Sequence, residues 1–175
     1  MKLNTPLNKE DQMQGNLSAP LILVEYGDYE CSYCGMAYPI IRELQGHFGR
    51  NLLFVFRNFP LTEIHAHALN AARIAEASAK QEKFWAVHDL IFENQDALLP
   101  KQLLSYVKLA GADIHKVLKD KDAAFVTNKI ERDIESGARS GVNGTPTFFI
   151  NGTRYDGELS FQALRDELEQ LLLKM

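Results

Sequence analysis

The 175-residue sequence predicts an α/β domain that is interrupted by a block of helices. Three observations predict it. Two β-rich runs flank an amphipathic helix near the start, apolar stripes at helical spacing fill the middle, and a hairpin followed by a helix ends the chain. The length is ample for a hydrophobic core, and 46% hydrophobic with 24% charged residues is ordinary for a globular protein.

The first half of the domain is predicted from three stretches. "LILVEY" (21–26) is apolar and β-branched, which is typical of a buried strand. Apolar residues then recur at helical spacing over about 31–47, and Pro39 should kink that helix. The run "NLLFVFRNF" (51–59) predicts a second strand. The order at this end of the chain is therefore β, α, β.

The C-terminal part predicts a strand, a tight turn, a returning strand and a helix. "TPTFFI" (145–150) is the strand, "NG" at 151–152 is a strong hairpin turn, and "TRYDG" returns. Ser160 can cap the final helix. Between the two halves, alanine-rich and amphipathic stretches over 62–138 indicate helices throughout.

These patterns divide the chain into three parts. Residues 1–18 form a polar segment that we expect to be loosely held. Residues 19–61 and 139–175 form the α/β domain, and residues 62–138 form an inserted helical domain.

Charge and hydropathy exclude other classes of protein. The net charge is -4 and the basic residues are scattered, which argues against a nucleic-acid partner. No apolar run approaches the roughly 18–20 residues of a membrane span, so membrane insertion is not expected. The opening "MKLNTPLNKEDQMQGNLSAP" lacks the apolar centre of a signal peptide. We expect a cytoplasmic protein, or a periplasmic or extracytoplasmic one if a leader has been removed.

The chain has one cysteine pair, Cys31 and Cys34, in "GDYECSYCGMAYPI" (27–40). Cysteines three residues apart in the first turn of a helix share a face and can close into a disulfide. Unpaired backbone N–H groups and the helix dipole favour a thiolate at the helix terminus, although Asp28 and Glu30 oppose it. The motif therefore predicts Cys31 as the attacking sulfur and Cys34 as the resolving sulfur.

Two structural roles for the pair fit the sequence less well. A zinc site needs four ligands as a rule, and the sequence adds only histidines such as His65 and His67. A structural disulfide closing so small a loop would add little stability, because the entropy it removes grows with loop length. Glu25, six residues before Cys31 in a strand that is otherwise apolar, favours a redox role, since a buried carboxylate can exchange a proton with a thiol. A glutamate that reaches water at the strand end is an equal alternative.

The chain resembles the thioredoxin superfamily, and within it the DsbA-like thiol:disulfide oxidoreductases. The resemblance spans about 18–175 and rests on "LVEYGDYECSYCG", on Pro39 eight residues after Cys31, and on "FRNFPL", "FWAVHDLIFENQ" and "GVNGTPTFFING". It implies a thioredoxin fold, a central mixed sheet flanked by helices, with an all-helical insertion between the second strand and the cis-proline strand. It also implies that Cys31 is an exposed nucleophile, Cys34 a buried resolving thiol, and Glu25 the buried acid behind them.

The resemblance further implies a substrate-binding site around the cysteines. Thr145 and Pro146 would form a cis-proline loop that faces the disulfide, where the Thr145 backbone can pair with an extended substrate segment. Ser32 and Tyr33, between the cysteines, would belong to the same site. Because Ser-Tyr matches neither the Pro-His of strong oxidants nor the Gly-Pro of thioredoxins, the direction of electron flow is not implied.

We therefore expect an enzyme that exchanges disulfides with cysteine-containing protein substrates and is recycled by a separate redox partner. It would use no metal and no organic cofactor beyond the redox-active disulfide. Oxidase, reductase and isomerase directions all remain open. The alternatives are a chaperone-like or redox-sensing peptide-binding module, and a kappa-like glutathione-linked transferase or isomerase, which the complete C-x-x-C motif disfavours.

Overall fold

A mixed β-sheet lies at the centre of the fold. A computed structural model describes residues 1–174, and in that part of the chain five strands form one sheet in the order β1-β3-β2-β4-β5. The strands are β1 (Gln12–Gly15), β2 (Leu21–Gly27), β3 (Leu52–Asn58), β4 (Thr147–Ile150) and β5 (Thr153–Tyr155). β2 is parallel to β3, and the other neighbouring pairs are antiparallel. Residue 175, the last residue of the predicted α/β domain, lies outside the described residues.

Helices connect the strands in the predicted order. α1 joins β2 to β3, α2 to α6 lie between β3 and β4, and α7 follows β5. The helices are α1 (Ser32–Phe48), α2 (Ala68–Ala79), α3 (Phe84–Glu93), α4 (Pro100–Leu109), α5 (Ile114–Asp120), α6 (Ala124–Arg139) and α7 (Phe161–Leu172). None of the helices within residues 1–174 has both the length and the apolar character that crossing a bilayer requires.

The alternation of β2 decides which of its side chains face the cysteine helix. Leu21 and Leu23 pack in the same hydrophobic cluster as Cys34, whereas Val24 and Tyr26 pack in a second cluster on the opposite face of the sheet. Since side chains two residues apart share a face of a strand, Glu25 lies on the Leu21 and Leu23 face. The carboxylate is therefore directed towards the layer that holds α1.

The N-terminal segment is held more firmly than the sequence indicates. β1 pairs with β3, which the sequence did not predict because its "QMQG" stretch has no apolar alternation. Asp11 is buried beside this strand and accepts two 2.9 Å hydrogen bonds from the Arg57 guanidinium. The expectation of a loosely held segment is wrong, since β3 and a buried ion pair fix it in place.

The backbone geometry confirms the predicted hairpin turn and the predicted cap of the last helix. Asn151 and Gly152 both have positive φ, 46° and 78°, as the hairpin turn requires. Ser160 caps α7 by accepting a hydrogen bond from the Ala163 N–H at 3.2 Å. Gly141, with φ of 78°, follows the end of α6. In the pairing of β2 with β4, Thr147 lies opposite Tyr26, so the loop before β4 lies beside the end of β2 that leads into α1.

Candidate active site

The cysteines lie where β2 leads into α1. Cys31 is the N-cap residue of the helix and has an extended backbone, with φ of -75° and ψ of 120°. Cys34 lies in the first turn. Both are free thiols, and Cys31 exposes 6% of its surface while Cys34 exposes none. The expectation of an exposed Cys31 is therefore wrong, because the start of α1 and the Thr145 loop cover it, although it is the more accessible sulfur of the pair.

The surroundings of Cys31 favour its thiolate. The pKa of the Cys31 thiol is lowered from 9.0 to about 5. The largest cause is a hydrogen bond with the Cys34 thiol, burial acts in the opposite direction, and hydrogen bonds from Thr145 and from the backbone N–H groups of Cys34 and Tyr33 lower the pKa further. The sequence indicated the backbone groups, but the contact between the two thiols depends on how their side chains are placed.

Cys34 and Glu25 have pKa values shifted upward. Burial is the main reason that the pKa of Cys34 is well above 9.0, and the hydrogen bond with Cys31 and the charge of Glu25 raise it further. Burial, followed by the charge of Cys31, raises the pKa of Glu25 from 4.5 to about 8. Glu25 exposes only 2% of its surface, and its Oε1 has no hydrogen-bond partner among the described residues. Glu25 thus faces the thiols rather than water.

The Arg57 side chain does not pair with Glu25, although the two residues lie on neighbouring strands. In the register of β2 and β3, Glu25 lies opposite Phe56, and Arg57 lies opposite Tyr26 on the other face of the sheet. Arg57 instead binds Asp11 and the Tyr26 hydroxyl. Arg57 therefore does not neutralise the Glu25 carboxylate.

The loop that contains Thr145 and Pro146 faces Cys31. The Thr145–Pro146 peptide bond is cis. The Cys31 thiol donates a hydrogen bond to the Thr145 carbonyl oxygen at 3.3 Å. The Thr145 hydroxyl is buried and has no partner among residues 1–174 while Cys31 is a thiol, so it donates to the sulfur once Cys31 is a thiolate, which is why Thr145 lowers the pKa of Cys31.

An open cleft of about 260 Å³ lies beside this loop. Its lining mixes apolar and polar groups, among them Tyr33, Thr145, Pro146, Phe148, Tyr155 and Leu159. Tyr33 is 62% exposed and borders the cleft. Ser32 is also exposed but does not line it. The structure therefore brings three of the four predicted substrate-binding residues to one surface.

Gln95 is a residue of the site that our sequence reasoning missed. It lies between α3 and α4, and its side-chain amide donates to the carbonyl oxygens of Cys31 at 2.7 Å and Tyr29 at 2.9 Å. Its Oε1 occupies the space that a Cβ at Gly35 would need. Its one signal in the sequence was its position at the end of "FWAVHDLIFENQ". The inserted helices thus hold the backbone of the cysteine turn.

The metal alternative finds no support in the geometry. In the part of the chain that the structure describes, no group of three or more His, Cys, Asp or Glu side chains is arranged to hold a metal ion. His65 Nδ1 is instead 2.8 Å from Asp28 Oδ2.

A family model described as thioredoxin matches residues 7–170, nearly the whole chain. The chain belongs to this thioredoxin family. It is also 41% identical over 157 residues to Na⁺/H⁺ antiporter NhaA 1 of Salinispora arenicola, a match that covers 88% of this chain and 24% of that protein. The chain thus spans about a quarter of the length of the curated relatives it matches.

Solved structures share the fold along almost the whole chain. A thioredoxin-like oxidoreductase from Silicibacter pomeroyi has a TM-score of 0.86 at 25% identity, covering 95% of this chain and 94% of that one. The thiol-disulfide exchange protein alpha-DsbA2 from Wolbachia pipientis has a TM-score of 0.83 at 23% identity, covering 94% and 88%. The predicted fold, a thioredoxin fold with a helical insertion, is confirmed.

Proposed function

We propose that this chain is a protein thiol:disulfide oxidoreductase in which Cys31 is the nucleophile and Cys34 the resolving thiol. The observation that carries the proposal is the contrast between the two sulfurs. The pKa of Cys31 is lowered to about 5, whereas that of the buried Cys34 is raised. At neutral pH one sulfur is a thiolate and its neighbour keeps a proton, which suits attack followed by resolution.

The reaction proceeds in two displacements. The Cys31 thiolate attacks one sulfur of a substrate disulfide, which breaks the substrate S–S bond, releases one substrate thiolate and forms a mixed disulfide. Cys34 then loses its proton and attacks Cys31 Sγ, which breaks the mixed disulfide and releases the second substrate thiolate. The substrate gains two electrons and the chain ends with a Cys31–Cys34 disulfide. The same steps in reverse oxidise a substrate dithiol.

Glu25 takes the proton of Cys34 in the second displacement. Its position is supported by the effect of its charge on the pKa of Cys34 and by its unpaired Oε1. The charge of Cys31 is one of the causes that raise the pKa of Glu25. Formation of the mixed disulfide removes that charge, so Glu25 ionises more readily at the step that needs a base.

The cleft beside Pro146 receives the substrate segment that carries the reacting cysteine. The Thr145 backbone would pair with that segment as an added strand, while the apolar lining and exposed Tyr33 accept varied side chains. Main-chain pairing does not depend on sequence. This arrangement supports a range of cysteine-containing protein substrates, and it needs no cofactor beyond the cysteine pair.

The proposal is tested by comparing wild type, Cys31→Ala and Cys34→Ala in insulin-disulfide reduction and in oxidation of reduced RNase. Wild type should catalyse at least one reaction and Cys31→Ala neither. Cys34→Ala should accumulate covalent substrate complexes that a reductant releases, and Cys31→Ala should not. Trapping by Cys31→Ala alone would reverse the assignment. Wild-type turnover no greater than that of Cys31→Ala in both assays would reject the enzyme in favour of a peptide-binding module.

A membrane transporter is a candidate protein partner, because relatives of this chain are Na⁺/H⁺ antiporters of which the matched region is about a quarter. The trapping variant separates this partner from others. Cys34→Ala expressed in the native host should form mixed disulfides with proteins of the membrane fraction. Complexes confined to the soluble fraction would count against a membrane partner and leave the exchange chemistry untouched.

A further inference from the structure

The cysteine motif has an unusual charge setting. The dipeptide between the cysteines, Ser32 and Tyr33, is uncharged, and Asp28 and Glu30 precede it. Two carboxylates so close to the motif disfavour a thiolate. Their charges must be compensated from elsewhere in the fold if Cys31 is to ionise readily.

Asp28 is built into the floor of the site. Its side chain is completely buried. Its own N–H donates to Cys34 Sγ at 3.4 Å, and its carboxylate accepts from the N–H groups of Glu30 and Leu61, each at 2.8 Å. Asp28 therefore contacts the inner thiol through its N–H, while its carboxylate ties the cysteine turn to the segment after β3.

His65, when protonated, places a positive charge at Asp28. Its Nδ1 is 2.8 Å from Asp28 Oδ2, and it is the one basic side chain within ion-pair distance of Asp28 in residues 1–174. Glu30 is compensated differently, because its Oε2 accepts from the N–H groups of His67 at 2.6 Å and Ala68 at 3.1 Å, at the start of α2. The negative charge of Asp28 is therefore offset by His65, and that of Glu30 by the N-terminus of α2.

We propose that His65 is an electrostatic positioning residue of the reduced site, an imidazolium that neutralises Asp28 behind the cysteines and so favours the Cys31 thiolate. The inference rests on the proposed role of Cys31 as nucleophile. Ser32 and Tyr33 carry no charge, so the positive charge near the cysteines comes from His65, which lies outside the motif. The redox equilibrium of the cysteine pair then depends on the protonation of His65.

The titration of His65 supports this coupling. Burial lowers the pKa of His65, but the hydrogen bond and charge of Asp28, followed by the charges of Cys31 and Glu30, outweigh it and raise the pKa above 6.5. All three groups lie in the segment between β2 and α1. Because coupling between two titrating sites is reciprocal, a thiolate that stabilises the imidazolium is stabilised by it to the same extent.

The direct test needs no variant other than one for resonance assignment. NMR titration of the histidine ring protons, with His65 identified from the His65→Gln spectrum, should give His65 a higher pKa in the reduced wild-type protein than in the oxidised one. Disulfide formation removes the Cys31 charge, so a difference of about half a unit or more is expected. His67 is the internal control and should not respond. Equal His65 values in the two redox states would overturn the inference.

The second test compares His65→Gln with His67→Gln in the reduced full-length protein. Ultraviolet titration of the thiolate should place the Cys31 pKa about one unit higher in His65→Gln, and His67→Gln should match wild type. Equal thiolate titrations in the two variants would also overturn the inference. The outcome is separable from the proposed function: if wild type exchanges disulfides while His65 ignores the redox state, only the role of His65 fails.

Discussion

Replacing Glu25 with glutamine is expected to stabilise the reduced protein, and to do so more strongly as the pH rises. The Glu25 carboxyl has a pKa of about 8 in the folded protein and 4.5 as its ordinary value. The unfolded chain therefore releases the Glu25 proton first as the pH increases. Stability from this group is complete below about pH 4.5 and is lost as the pH rises to about 8.

The size of the effect follows from the two pKa values. At 1.36 kcal/mol for each pH unit between them, ionised Glu25 destabilises the folded state by about 5 kcal/mol above pH 8. The penalty is about 3 kcal/mol at pH 7 and less than about 1 kcal/mol at pH 5. Glutamine has nearly the same shape and never ionises, so Glu25→Gln recovers these amounts.

Urea denaturation of the reduced protein at about pH 5, 7 and 9 measures this dependence. The matched control is Glu43→Gln on the exposed face of α1, which should change stability little at any pH. A Glu25→Gln difference that is zero at every pH, or constant across the range, would refute the reasoning. Either result would mean that the carboxyl is not a buried group whose ionisation opposes folding.

Two further substitutions test how the site and the N-terminal segment are held. Gly35→Ala should lose about 1 kcal/mol of unfolding free energy, because the new Cβ displaces Gln95 from the cysteine turn. Gly46→Ala in the same helix should gain up to about 1 kcal/mol, since nothing lies within 4 Å of its Cβ position. Equal gains of the two variants in urea denaturation would contradict the role of Gln95 in holding the cysteine turn. Asp11→Ala should lose about 3–5 kcal/mol by thermal denaturation, because it leaves the buried Arg57 guanidinium without its carboxylate; a loss below about 1 kcal/mol would show that the ion pair does not hold the segment.

Features that depend on local backbone chemistry could be predicted from the sequence. The "NG" turn requires positive φ at both residues, and Asn151 and Gly152 adopt it. The start of α1 at the cysteines and the Ser160 cap follow equally from local rules. β1 could not be predicted in this way, because its few polar residues become a strand only when β3 is available to pair with them.

The candidate site was predictable in its sulfurs but not in its supporting contacts. Whether Glu25 or Asp11 faces Arg57 is decided by strand register, and a sequence does not give register between distant strands. His65 and Gln95 reach the cysteine turn from 37 and 64 residues away along the chain. Their side-chain contacts arise from how the inserted helices pack on the sheet, which periodicity does not specify.

The most direct test of the central claim is the titration of Cys31 in the reduced wild-type protein, followed by the ultraviolet absorbance of its thiolate. The transition should have a midpoint near pH 5 and should be absent from Cys31→Ala. A midpoint near 9.0, the ordinary value for a cysteine thiol, would contradict the account, because the neighbouring thiol, Thr145 and the helix terminus would then not favour the thiolate.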